Sequence, residues 1–200
     1  MSPAQDRPNY KGEEIRMDKR SVSAGFTLIE LMVVLAVAAI LQTLAAPALS
    51  GMVNSMRLTA AVNSLFTSLL LARSEAIKRN ARAVVCKSAS GDACIATGGW
   101  EQGWIVFHDA NNNAKRDAGE VIVSHQQAMQ PPVRLNGNSP LASYVSFTPM
   151  GQTAYASGAF QAGTLTVCLE SSEAQEARQI VISSTGRPRT VRKTVAHCPI

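Results

Sequence analysis

The sequence predicts an α+β fold: a long N-terminal helix, its first half membrane-spanning, packed on an antiparallel β-sheet domain of about seven to eight short strands. Three observations predict it. An apolar run extends from Phe26 to Ala46 with Glu30 as its one formal charge. A helical period then continues to about Asn80. Beyond it, short β-rich segments alternate with Gly, Asn, Asp and Pro turn signals to the end of the 200-residue chain.

Taken in order, residues 1–25 mix acidic and basic side chains and read as a leader that is removed. Lys19 and Arg20 lie just ahead of the apolar run, which keeps the N-terminal side cytoplasmic and sends the rest outward. The run from Phe26 to Ala46 makes roughly 30 Å of helix, the thickness of a bilayer's hydrocarbon core. A secretory signal places its small-residue cleavage site after the apolar region. Here the small residue, Gly25, comes before it. A cut after Gly25 leaves the hydrophobic helix as the new N-terminus. The expected organisation is therefore a leader (1–25), a helix (26–80) with 26–46 spanning a membrane, and a β-rich domain (81–200) on the far side of it.

Pro47 and Gly51 predict a kink where the helix leaves the membrane. Met52, Met56, Val62, Leu65, Leu69, Ala72 and Ala76 then trace one apolar stripe. Glu75 and Arg79 form an acid-to-base pair four residues apart, and Lys78, Arg79 and Arg82 suit a helix C-terminus near Asn80. After Asn80 the period changes. Strands are expected over Ala83–Lys87, Trp104–His108, Val121–His125, Val133–Leu135, Tyr144–Thr148, Thr164–Leu169, Gln179–Ser183 and Thr190–Thr194. The stretches Ser88–Gly103 and Gly151–Gly163 read as mobile loops.

All four cysteines, Cys86, Cys94, Cys168 and Cys198, follow the apolar run. That topology puts them in an oxidising compartment, where an even count favours two disulfides over zinc, whose paired C-x-x-C spacing is missing. Three connectivities are possible. Cys86–Cys94 with Cys168–Cys198 is favoured because each closes a local segment. The formal net charge is +5, and its position matters more than its size. The three histidines, His108, His125 and His197, are scattered away from any recognisable nucleophile motif, so the chain does not read as an enzyme.

The order Gly25-Phe26-Thr27-Leu28-Ile29-Glu30 resembles the processing site of type IV pilins and type II secretion pseudopilins. The resemblance implies cleavage after Gly25 by a prepilin peptidase, N-methylation of Phe26 and assembly with other pilins or pseudopilins into a filament. Physics supports a special role for Glu30. A carboxylate near the membrane costs roughly 2.5–3.5 kcal/mol and wants a partner. No Lys or Arg follows until Arg57, so the nearest cation is the new α-amine of Phe26. In the family that amine belongs to a neighbouring subunit. Further on, Ala72-Arg73-Ser74-Glu75-Ala76-Ile77 and Gly103-Trp104-Ile105-Val106-Phe107-His108-Asp109 resemble the FimT/GspH branch of the superfamily. This implies a structural component: a FimT-type minor pilin of a type IV pilus or, alternatively, an H-type pseudopilin of a type II secretion system.

Two polar segments could hold a ligand. Asp109, Asn111, Asn113, Asp117 and Glu120 occupy positions 1, 3, 5, 9 and 12 of an EF-hand-like spacing, which would suit calcium. Against it, Ala114 replaces the glycine expected at position 6 and the flanks are strands. No other cofactor is implied. The second segment is the tail, where no acid follows Glu176 and where Arg178, Arg187, Arg189, Arg192 and Lys193 supply cations. Gly186-Arg187-Pro188-Arg189 looks like the Gly-Arg-x-Arg motif of DNA-binding FimT-type minor pilins. It implies capture of double-stranded DNA, without sequence specificity, for natural transformation. Guanidinium groups suit phosphate, which they grip in bidentate fashion while staying charged.

Overall fold

The computed structural model describes residues 25–171 and 174–198. The leader, apart from Gly25, lies outside the described residues. The chain divides into two units, residues 1–45 and 46–200.

In the first unit, helix α1 (Leu28–Arg79) begins. The Oγ1 of Thr27 accepts a hydrogen bond from the Glu30 N–H at 3.2 Å, so Thr27 caps the helix and Glu30 takes the third position of a capping-box sequence. Phe26, Leu28, Ile29 and the apolar side chains through Leu41 are largely exposed. Among the described residues no helix is long and apolar enough to cross a membrane. The side chains of Leu44, Ala46, Pro47 and Ala48 lie outside the described residues, so the continuous described apolar stretch ends at Thr43.

The helical backbone is continuous through Pro47 and Gly51, as the single helix expected from Phe26 to about Asn80 requires. It ends in a Schellman motif: Asn80 adopts φ +50, Ala81 N–H donates to Ala76 O at 3.2 Å and Asn80 N–H to Ile77 O at 3.3 Å. The buried stripe of α1 is Leu58, Ala61, Val62, Leu65, Leu69, Ala72 and Ala76. Met52 and Met56, expected on that stripe, are exposed.

Eight antiparallel strands follow: β1 (Arg82–Lys87), β2 (Trp104–Asp109), β3 (Ile122–Gln126), β4 (Val133–Gly137), β5 (Tyr144–Phe147), β6 (Gly163–Leu169), β7 (Gln175–Ile182) and β8 (Pro188–Val195). They form two four-stranded sheets, ordered β3-β2-β1-β5 and β4-β6-β7-β8. Both sheets turn apolar side chains to the helix, Val85, Trp104, Val106 and Phe147 from the first and Leu135, Leu165, Ile180 and Ile182 from the second, in one core. Polar contacts fix the register of helix on sheet. Trp104 Nε1 donates to Ser68 Oγ at 2.9 Å, and Ser64 Oγ to Gln126 Oε1 at 2.7 Å.

Strands β1 and β2 are buried on both faces. Their outer face carries a second cluster, Val84, Cys86, Ile105 and Phe107, closed by Ala114 from the loop after β2. The two stretches expected to be mobile are instead pinned. In the first, Trp100 is fully buried and donates to Leu141 O, while Lys87 Nζ reaches back to Ala96 O and Gly98 O. In the second, Thr153 and Gln161 are fully buried. Apolar and polar anchors spaced along these loops offset the entropy that an unanchored loop would keep. Disulfides join Cys86 to Cys94 and Cys168 to Cys198.

Candidate functional site

The basic tail is a hairpin at the edge of the second sheet. β8 pairs with β7 along its whole length, with Ala177 opposite Lys193, Arg178 opposite Arg192, Val181 opposite Arg189 and Ile182 opposite Pro188. Among the described residues no strand covers the other edge of β8 in the sheet order. Because successive side chains alternate across a sheet, the five cations do not form one patch. Arg178 shares the helix-facing side with Ile180 and Ile182, and Arg192 opposite it takes the same side. Arg189 and Lys193 point the other way, roughly 13 Å apart along the strand. Arg187 lies in the turn ahead of β8.

Their partners differ too. The side chain of Arg178 is only 13% exposed and is held by Ser55 Oγ at 3.2 Å and Glu176 Oε1 at 3.5 Å. Arg192 lies 3.9 Å from the same Glu176. Arg178 is therefore a helix-to-sheet tie, and Arg192 is partly neutralised. Among the described residues, Arg187, Arg189 and Lys193 are exposed and make no ion pair or side-chain hydrogen bond.

The turn that presents Arg187 is held by backbone contact. Gly186 has φ +73, and a Cβ there would meet Gly151 O at 2.0 Å. That same carbonyl accepts a hydrogen bond from Arg73 Nε at 3.0 Å. The helix thus positions the 148–154 loop, and the loop positions the turn. The Cys168–Cys198 bridge closes the far end, buried with Ala177 and with Val195 packed beside it.

The 109–120 loop is organised around itself. Asp109 accepts from the N–H groups of Asn113 (3.0 Å) and Ala114 (2.8 Å) and lies 3.9 Å from Arg82 Nε. Asp117 accepts from the side-chain amides of Asn111 and Asn113, and Glu120 from the N–H groups of Ala110 and Asp117. Ala114 adopts φ +58 and seals the outer cluster, so a methyl group stands where the EF-hand spacing wants glycine. The carboxylate and amide oxygens of the loop accept hydrogen bonds from donors within it or next to it. Among the described residues no three His, Cys, Asp or Glu side chains gather as a metal site. A cation held by Asp109, Asn111, Asn113, Asp117 and Glu120 would have to displace these internal donors. Burial raises the pKa of Asp109, an effect opposed by the two N–H bonds and by Arg82.

Beside this loop, His108 Nε2 lies 3.2 Å from Glu75 Oε2 but out of line for a hydrogen bond. Neither ring nitrogen has a hydrogen-bond partner among the described residues. Burial, then the nearby Arg79, pushes its pKa down, against the pull of Glu75. Sequence reasoning missed three contributors. Gly151 and Arg73 support the tail from a distance in sequence that no local signal spans. Glu176 stands in the sequence only as the last acid, although its spacing of two from Arg178 places both on one face of a strand, and the β7–β8 register adds Arg192 to it.

The comparisons with known proteins agree with this architecture. A family model described as "Type II transport protein GspH" matches residues 61–186, and one described as "Prokaryotic N-terminal methylation motif" matches residues 20–45. The chain is 33% identical over 173 residues to "Pilin-like protein PilA1" of Thermus thermophilus, covering 82% of this chain and 96% of that one. A crystal structure of the type IV minor pilin FimU of Pseudomonas aeruginosa shares the fold at TM-score 0.55 and 16% identity, covering 74% of this chain and 99% of FimU. A second crystal form of FimU gives TM-score 0.53 at 17% identity, over 71% of this chain and all of FimU. With a family model over most of the domain and a relative a third identical, the chain belongs to the GspH/FimT branch of the type IV pilins and pseudopilins, membrane-anchored structural subunits rather than enzymes, which assemble with other pilins into a filament.

Proposed function

We propose that this pilin is a minor subunit of a type IV pilus that holds DNA on its surface through Arg187 and Arg189, with Lys193 in support, and so serves natural transformation. In this reading a prepilin peptidase cuts after Gly25 and the Phe26 amine is methylated. The segment 26–46 spans the inner membrane with the β domain in the periplasm, and Glu30 pairs with the Phe26 amine of a neighbouring subunit. The observation that carries the DNA assignment is the set of exposed, unpaired cations at a sheet edge, presented by a turn that Gly186 locks in place. Contacts of this kind read phosphate and not sequence, so affinity must fall steeply with salt.

The test is a gel shift with the full-length chain in detergent. Changing Arg187 and Arg189 together to Gln should weaken duplex binding at low salt, with thermal stability unchanged. The salt slope should become shallower by about 0.9 for each phosphate that is no longer neutralised. An unaltered shift rejects the assignment. The second reading, an H-type pseudopilin of a type II secretion system, is favoured by the description of the matching family model. Transformation and secretion assays on a deletion strain separate the two.

A further inference from the structure

The cationic turn shares its end of the molecule with an exposed aromatic side chain. Gly163, Ile182 and Pro188 form one row across β6, β7 and β8. The segment entering β6 and the segment entering β8 therefore open at the same end, two strand spacings or roughly 10 Å apart. The first of these carries Phe160, the second Arg187.

The intervening loop is tied down. Thr153 N–H donates to Ser184 O at 3.1 Å and Thr153 Oγ1 to Ser183 O at 3.0 Å, next to the turn itself. The chain reverses at Tyr155–Gly158 and returns to bridge Ala154 with Phe160. Gln161 then turns inward, fully buried, donating to Pro140 O and Tyr144 O and accepting from Ser146 N–H. Alternation along an extended segment throws its neighbour Phe160 outward, where it is 76% exposed. Met150, beside the Gly151 that touches Gly186, is 80% exposed. Neither side chain joins any apolar cluster.

The electrostatic setting is one-sided. From Leu135 to Leu169 the chain has no charged residue, and no Asp or Glu follows Glu176. An apolar platform on neutral ground beside unpaired guanidinium groups complements one chemistry above others, a chain of flat apolar rings joined by phosphates. The geometry points to a composite surface for single-stranded nucleic acid, with Phe160 stacking on an unpaired base, Met150 flanking it, and Arg187 and Arg189 on the adjoining phosphates. The inference rests on the DNA reading above and deepens it. Phosphate contacts hold single strands and duplexes alike, but a duplex hides its base faces, so Phe160 acts on the single strand alone.

The experiment uses the full-length chain in detergent and fluorescence anisotropy with labelled oligo-dT and a labelled duplex of the same length. Phe160→Ala should weaken oligo-dT binding roughly 5- to 150-fold and leave duplex binding within about twofold. Phe160→Trp should restore it. The Arg187→Gln/Arg189→Gln variant should weaken both probes. If that variant weakens both while Phe160→Ala affects neither, or both equally, the stacking inference fails and the DNA reading stands. If the arginine variant affects neither probe, the DNA reading itself fails. If Phe160→Ala leaves oligo-dT binding intact but lowers incorporation into filaments, Phe160 is a subunit contact, and the inference is overturned.

Discussion

The loop from Asp109 to Glu120 and the segment from Ser183 to Val195 are both polar and rich in ionisable groups, the first joining β2 to β3 and the second made of a turn and the edge strand β8. They differ in what folding leaves over. In the loop, each carboxylate already accepts two hydrogen bonds from within the segment, and Ala114 fastens the whole to the outer cluster. In the edge segment the backbone is fully paired on one side, yet Arg187, Arg189 and Lys193 have no counter-charge among the described residues. Ligand capacity is the valence that folding does not consume. By that measure the loop is structure and the edge segment is surface.

The strongest way to break this comparison is Asp109→Ala. The side chain is fully buried, and its removal strands two N–H groups and withdraws the nearest carboxylate from Arg82. Breaking a buried pair costs roughly 3–5 kcal/mol, and at about 2–4 °C per kcal/mol for a chain of this size the melting temperature should fall by several degrees to well over ten. A drop of a degree or less would mean that the loop is held otherwise.

Next comes Gly186→Ala. The new methyl would sit 2.0 Å from Gly151 O at φ +73, with backbone and not a flexible side chain in its way. A cost of about 1–3 kcal/mol is expected, together with weaker DNA binding as the turn shifts. Gly158→Ala is the control, since φ there is +88 but nothing lies within 4 Å. It should cost only about 1 kcal/mol and leave binding alone. Equal effects of the two substitutions would show that the contact with Gly151 does not position the turn.

Much of this architecture was legible in the chain. All eight strands fall where period-two segments lie between turn residues, and the helix ends within a residue of Asn80. The partition into two sheets was not legible, because strand pairing is a long-range property and β4, β6, β7 and β8 are joined across sequence gaps that carry no periodicity. Strand β7 starts at Gln175, earlier than expected, because Glu176 and Arg178 look like loop residues until the helix supplies Ser55 as a partner. In the tail, the cations could be counted in the sequence but not sorted. Parity alone divides Arg189 and Lys193 from Arg192, and only the fold reveals that Arg178 is already engaged. Phe160 was invisible because it stands far from the arginines in sequence and becomes their neighbour only through the row from Gly163 to Pro188.

The smallest effect concerns the flank of the closed loop. His108 packs under the end of the helix, faced by Glu75 and Arg79 from α1 and followed by Asp109, with Lys78 beyond Glu75 and with Asp117 and Glu120 lining the groove above it. Burial lowers its pKa below the ordinary 6.5, so the unfolded chain takes up the proton first as pH falls. Stability contributed by the neutral ring is therefore present above the unfolded value and is lost as pH drops through 6.5 toward the folded value. Burial moves Asp109 in the opposite direction, upward from 3.8, in a more acidic window. Denaturant midpoints taken between about pH 7.5 and 5.5 should fall for the wild-type chain and fall less for His108→Gln, which cannot take up the proton. If the two curves run parallel, Glu75 compensates the imidazolium fully and the ion pair, not burial, governs the site.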